Sequence, residues 1–124
     1  MEVEALCRAM GLEVVTQDPY NLAGTTQAIY DLLQEDGVRV LILRRECALV
    51  RAKSQPAAFR VRVEPDLCLG LACGCRRLCT RVFKCPGLTW DPVAEQARID
   101  EAICTGCGVC AQICPSGAII AEAV

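Results

Sequence analysis

Four cysteines stand within eleven residues near the end of the sequence: Cys104-Thr-Gly-Cys107-Gly-Val-Cys110-Ala-Gln-Ile-Cys114, followed by Pro115. This C-x2-C-x2-C-x3-C-P spacing suits a cuboidal iron–sulfur cluster. Three thiolates separated by pairs of residues can wrap three corners of such a cube. Gly106 and Gly108 let backbone amides approach and hydrogen-bond its sulfides, which offsets negative charge and tunes the potential. Pro115 stops the chain and turns Cys114 away, and where two clusters share a domain that fourth cysteine binds the other cluster. A zinc ribbon is the competing reading, but cysteines packed this closely crowd a tetrahedral site.

The run is the second copy of a repeat. Val63-Glu64-Pro65-Asp66-Leu67-Cys68 aligns with Ile99-Asp100-Glu101-Ala102-Ile103-Cys104, and the copies close with Cys85-Pro86 and Cys114-Pro115. Two copies of one ligand loop predict two metal centres in a pseudo-twofold domain of the bacterial ferredoxin type. The first copy offers Cys68, Cys73, Cys75, Cys79 and Cys85, five candidates for four places. The repeat makes Cys68 first and Cys85 fourth. Cys75 and Cys79 best match the middle pair, which leaves Cys73 as a spare thiol beside the site or as the replacement for Cys75. Crossed ligation then puts Cys68, Cys75, Cys79 and Cys114 on one 4Fe–4S cluster and Cys104, Cys107, Cys110 and Cys85 on the other. A first loop that has decayed and holds zinc or nothing is the alternative. Cys7 and Cys47 sit alone on apolar elements and are expected in the core.

The totals narrow the chemistry. The 124 residues carry a net charge of −2, 11 cysteines and no histidine. Without histidine there is no Cys2His2 zinc site, Rieske-type ligation, histidine haem ligation, or Ser-His or Cys-His catalytic pair. No apolar run reaches the roughly 18 residues of a membrane span, and Met1-Glu2-Val3-Glu4 lacks the basic start of a signal peptide. A cytoplasmic location is expected. There a disulfide framework is disfavoured, and an odd cysteine count cannot pair fully within one chain.

These loops must be held by something. Val3, Leu6, Cys7 and Met10 mark a short amphipathic helix capped by Gly11. Residues 12–16 read as a strand, with a turn at Asp18-Pro19. A helix is expected over 25–36, from a Thr25 cap to Gly37, and an apolar strand over 38–43. This helix–strand–helix–strand stretch, residues 1–50, is too small to bury a two-faced strand. It is expected to complete a partner's sheet, with a small independent domain as the alternative. Residues 51–60 read as a linker and 61–124 as the two-cluster domain. The expected class is α+β: a ferredoxin-like domain preceded by an α/β fragment.

The segments Gly11-Leu-Glu-Val-Val-Thr-Gln-Asp18-Pro19-Tyr20 and Gly37-Val-Arg-Val-Leu-Ile-Leu-Arg44-Arg45-Glu-Cys47-Ala48-Leu49, followed by two ferredoxin loops, resemble one known arrangement. It is the C-terminal part of the alpha subunit of indolepyruvate:ferredoxin oxidoreductases, in the 2-oxoacid:ferredoxin oxidoreductase superfamily. The resemblance implies that residues up to about 50 form the end of a thiamine-diphosphate-binding domain. The family's Gly-Asp-Gly motif and distant Asn are absent here. Thiamine diphosphate and magnesium are therefore expected on a partner subunit. The implied reaction is oxidative decarboxylation of an arylpyruvate-type 2-oxo acid to an acyl-CoA. This chain would be the electron-transfer subunit, delivering to a ferredoxin or other acceptor, with no nucleic-acid or membrane partner and no catalytic acid, base or nucleophile of its own. A free-standing low-potential ferredoxin, an iron–sulfur subunit of another redox complex and a purely structural module are the competing readings. Arg76, Arg77, Arg81 and Lys84 lie in the first loop, whereas Asp100, Glu101 and Glu122 surround the second. The first-loop cluster should thus have the higher potential, and Arg76 and Arg77 should receive an acidic acceptor.

Overall fold

A computed structural model describes residues 2–124. They form two compact units, one ending at Glu46 and the other beginning at Cys47.

In the first unit, α1 (Val3–Ala9) leads through Gly11 to β1 (Glu13–Gln17). Strand β2 (Arg39–Leu43) lies parallel to β1, in register from Glu13 opposite Arg39 to Gln17 opposite Leu43. The connecting helix α2 spans Leu22–Gln34. It starts three residues before the expected Thr25 because Asn21 is the cap: its side chain accepts a hydrogen bond from the Gly24 N–H at 3.0 Å. Thr25 is instead buried on the first turn, and its hydroxyl donates to the Asp18 carbonyl at 3.1 Å. The turn between β1 and α2 is clamped to the end of β2. Arg45 pairs with the Asp18 carboxylate and stacks 4.2 Å over the Tyr20 ring. The Tyr20 N–H donates to Asp18, which with Arg45 outweighs desolvation and holds that carboxyl below its ordinary range.

Strand β2 is not buried on both faces within this unit. Its residues are half-buried or exposed, Val38 beside it is 67% exposed, and Leu33 on α2 is 76% exposed. Two parallel strands and two helices cannot cover that much apolar surface.

In the second unit, α3 (Ala48–Ser54) occupies the start of the segment expected as a linker, and β3 (Phe59–Val63) its end. Ala48 to Lys53 contains no helix breaker, and Pro56 then prevents continuation. Cys47, expected in a core, is exposed at the start of α3, and Cys7 is only half-buried on α1. Neither short helix has a buried residue, so neither thiol has a core to enter.

Two antiparallel pairs complete the unit. β3 pairs with β6 (Ile119–Ala123), and β4 (Leu88–Asp91) pairs with β5 (Gln96–Ile99). The strand before each cysteine loop therefore pairs with the strand after the other loop. Val61, Leu88, Ala97, Cys110 and Ile119 form the core, with Cys68, Cys79, Cys85, Cys104 and Cys114 packed against it. No described helix is long and apolar enough to cross a membrane.

Candidate iron–sulfur site

The strand exchange decides which thiols meet. Pairing of β6 with β3 carries Cys114, just before β6, to the start of the first loop, where the Glu64 N–H donates to the Ala118 carbonyl at 2.7 Å. Gln96, on β5, holds the same loop from the other side by donating to the carbonyls of Pro65 and Cys68, each at 2.8 Å. As a result Cys68, Cys73, Cys75, Cys79 and Cys114 line one cavity.

The backbone around Cys75 and Cys114 favours their anionic form. Burial raises the Cys75 thiol, but N–H groups of Arg77 and Leu78 and a hydrogen bond from Cys73 outweigh it, and the net shift is down. The same balance holds at Cys114. Burial opposes ionisation, yet the Ser116 hydroxyl at 3.5 Å and the N–H groups of Ile119, Ala118 and Ser116 bring the thiol below its ordinary value. Cys79 is deeper. Burial raises it first, and negative charge on Cys75 and Cys114 raises it further, against an N–H from Thr80. Arg76 and Arg77 both adopt positive φ, at 51° and 61°. That left-handed backbone is costly for side-chain-bearing residues, and it brings the Arg77 and Leu78 amides onto Cys75.

The second group gathers around α4 (Val109–Ile113). Cys110 is buried in the core, and its thiol is pushed up to about 12, first by burial and then by negative charge on Cys107, Cys104 and Cys85. Cys85, from the first loop, is thus a neighbour of the second-loop thiols. Gly106 has φ +64°, and a Cβ there would collide with the Phe59 carbonyl and the Ala57 side chain. The Phe59 N–H donates to the Gly106 carbonyl at 3.1 Å. Glycine at 106 therefore seats the second loop against the start of β3.

A soft, all-thiol donor set with amide N–H groups aimed at the sulfurs fits an iron–sulfur centre. Among the described residues, no group of three or more Cys, Asp or Glu is arranged to hold a single metal ion. Two further features were not legible in the linear sequence. Arg77 stacks 4.1 Å over the Trp90 ring, and both line the first cavity. Glu122, counted as acidic surroundings of the second loop, is paired by Arg62 at 3.3 Å across the β3–β6 pair, which weakens the expected charge asymmetry.

Residues 97–120 match the 4Fe-4S binding domain family, a span that contains Cys104, Cys107, Cys110 and Cys114. Nearly the whole chain is similar to curated proteins named "Indolepyruvate oxidoreductase subunit IorA". Identity is 36% over 94% of this chain for the protein from Pyrococcus horikoshii. It is 34% over 91% for Thermococcus kodakarensis and 36% over 98% for Methanothermobacter marburgensis. The chain spans 18% of the length of each of these three relatives. No solved structure matches.

Proposed function

We propose that this chain is the iron–sulfur electron-transfer component of an indolepyruvate-type (arylpyruvate) 2-oxoacid:ferredoxin oxidoreductase, holding two 4Fe–4S clusters. One observation carries the reading. The similarity to the indolepyruvate oxidoreductase subunits runs through 94% of the chain, so it takes in the α1–β2 unit as well as the cysteine loops. A free ferredoxin has no use for that first unit, whose apolar strand and helix faces are left uncovered. They suit a larger α/β partner that carries thiamine diphosphate and magnesium.

Cys68, Cys75, Cys79 and Cys114 would hold the first cluster, and Cys104, Cys107, Cys110 and Cys85 the second. Bound there, the clusters would supply one-electron redox chemistry, which suits electrons that leave thiamine chemistry one at a time. The chain's own residues supply position and potential. Amide N–H groups on Cys75 and Cys114 stabilise thiolate ligands, and Arg77 brings positive charge to the first cavity. No residue is assigned as acid, base or nucleophile.

The test is anaerobic purification of the native complex through this chain, with mass spectrometry of the associated chains, then addition of indolepyruvate and coenzyme A. The expected result is a thiamine-diphosphate-binding partner and bleaching of the iron–sulfur absorbance by substrate. A chain that purifies alone would be a free ferredoxin, and one whose clusters stay oxidised with substrate in the presence of the rest of the enzyme would be a structural module.

A further inference from the structure

The first cavity holds one thiol more than a cluster needs. Five cysteines line it, Cys68, Cys73, Cys75, Cys79 and Cys114, while a 4Fe–4S cluster takes four. In the second copy of the repeat the second place belongs to Cys107 without a rival. In the first copy it is contested by two residues on either side of Gly74. The short turn Gly70–Cys73 ends in that glycine, which has φ +72° and open space where a Cβ would stand. The left-handed turn folds the chain so that Cys73 and Cys75 both line the first cavity. Both residues are half-buried.

On the two-cluster reading, we propose that Cys73 and Cys75 are interchangeable ligands for one corner of the first-loop cluster. Cys75, which matches the second place of the repeat, is the resident ligand, and Cys73, on the wall of the same cavity, is the reserve. In an exchange, one iron–thiolate bond would break at Cys75 and one would form at Cys73, the proton of the incoming Cys73 thiol going to the outgoing Cys75 thiolate. Iron, total charge and electron count stay the same. The site therefore keeps its iron when either thiol is removed or blocked, a tolerance the second loop lacks.

Iron analysis and EPR of the reduced full chain, purified without oxygen, test this. Wild type should hold about eight irons, and Cys79→Ala, which removes a corner with no substitute, should set the reading for a lost first-loop cluster at about four. Cys73→Ala and Cys75→Ala should each match wild type in iron, with Cys75→Ala changing the EPR line shape. The double variant Cys73→Ala/Cys75→Ala should match Cys79→Ala. Either single variant falling to the Cys79→Ala reading, or the double variant matching wild type, overturns interchangeability. A wild-type value of about four irons would overturn the two-cluster reading itself, a distinct result.

Discussion

The Arg77 guanidinium lies 4.1 Å over the ring of Trp90, and both side chains line the cavity shared by Cys75, Cys79 and Cys114. Stacking of this kind contributes about 0.5–2 kcal/mol, which holds an otherwise mobile arginine in one place. A cation fixed at the cavity wall would favour the reduced, more negative state of a cluster bound there. Arg77→Gln should lower the first-loop potential by tens of millivolts, where about 60 mV is a tenfold change in a one-electron equilibrium. Trp90→Leu should give a smaller shift of the same sign. Potentiometric EPR titration reads both. An unchanged first-loop potential in Arg77→Gln would remove this charge from the account.

Arg76 is exposed, unlike its neighbour. It should act on encounter with an acidic acceptor rather than on potential. Arg76→Gln should slow acceptor reduction at low salt and flatten its salt dependence, leaving cluster reduction by substrate unchanged. Stopped-flow kinetics at several ionic strengths would show whether the acceptor docks elsewhere.

The strand exchange supports the proposal that the fourth ligands cross. Cys114→Ala should abolish the EPR signal of the first-loop cluster and spare the second. Cys85→Ala should do the reverse. Each should lose about four irons. Loss of the second-loop signal on Cys114→Ala would mean uncrossed ligation.

The core of the second unit is small, built on Val61, Leu88, Ala97, Cys110 and Ile119. Small domains of this kind commonly depend on bound metal. Chelation or air oxidation should unfold most of residues 61–121, seen as collapse of amide dispersion and of the circular-dichroism signal. A well-dispersed spectrum from iron-free protein would show that the strands stand without the clusters.

The cap on α2 gives a local test of the first unit. Asn21→Ala removes the bond to the Gly24 N–H and should cost about 1 kcal/mol. Hydrogen exchange of the α2 amides that open locally should quicken by about fivefold, while the cysteine loops are unaffected. Equal protection in the variant would mean that the Asp18–Arg45 clamp alone sets the start of the helix.

The chemistry of this chain was written in local spacing. C-x2-C-x2-C-x3-C-P and its repeat point to thiol-held iron, because ligands of one loop must lie within a few residues of each other. The Cys104–Cys114 loop, α1 and the β1–α2–β2 order were legible for the same reason: caps and periodicity act over single turns. The start of α2 was misread because two plausible caps, Asn21 and Thr25, lie one turn apart, and only the clamped turn at Asp18 decides between them. What tertiary structure alone decided depends on strand pairing across long separations. The β3–β6 register, with Val63 opposite Ile119, brings Cys114 to the first loop and Arg62 to Glu122. The first-loop fold sets Arg77 on Trp90 and five thiols around one cavity. Residue spacing specifies which atoms can bind iron, but contacts between distant segments arise only when the whole unit closes around its core.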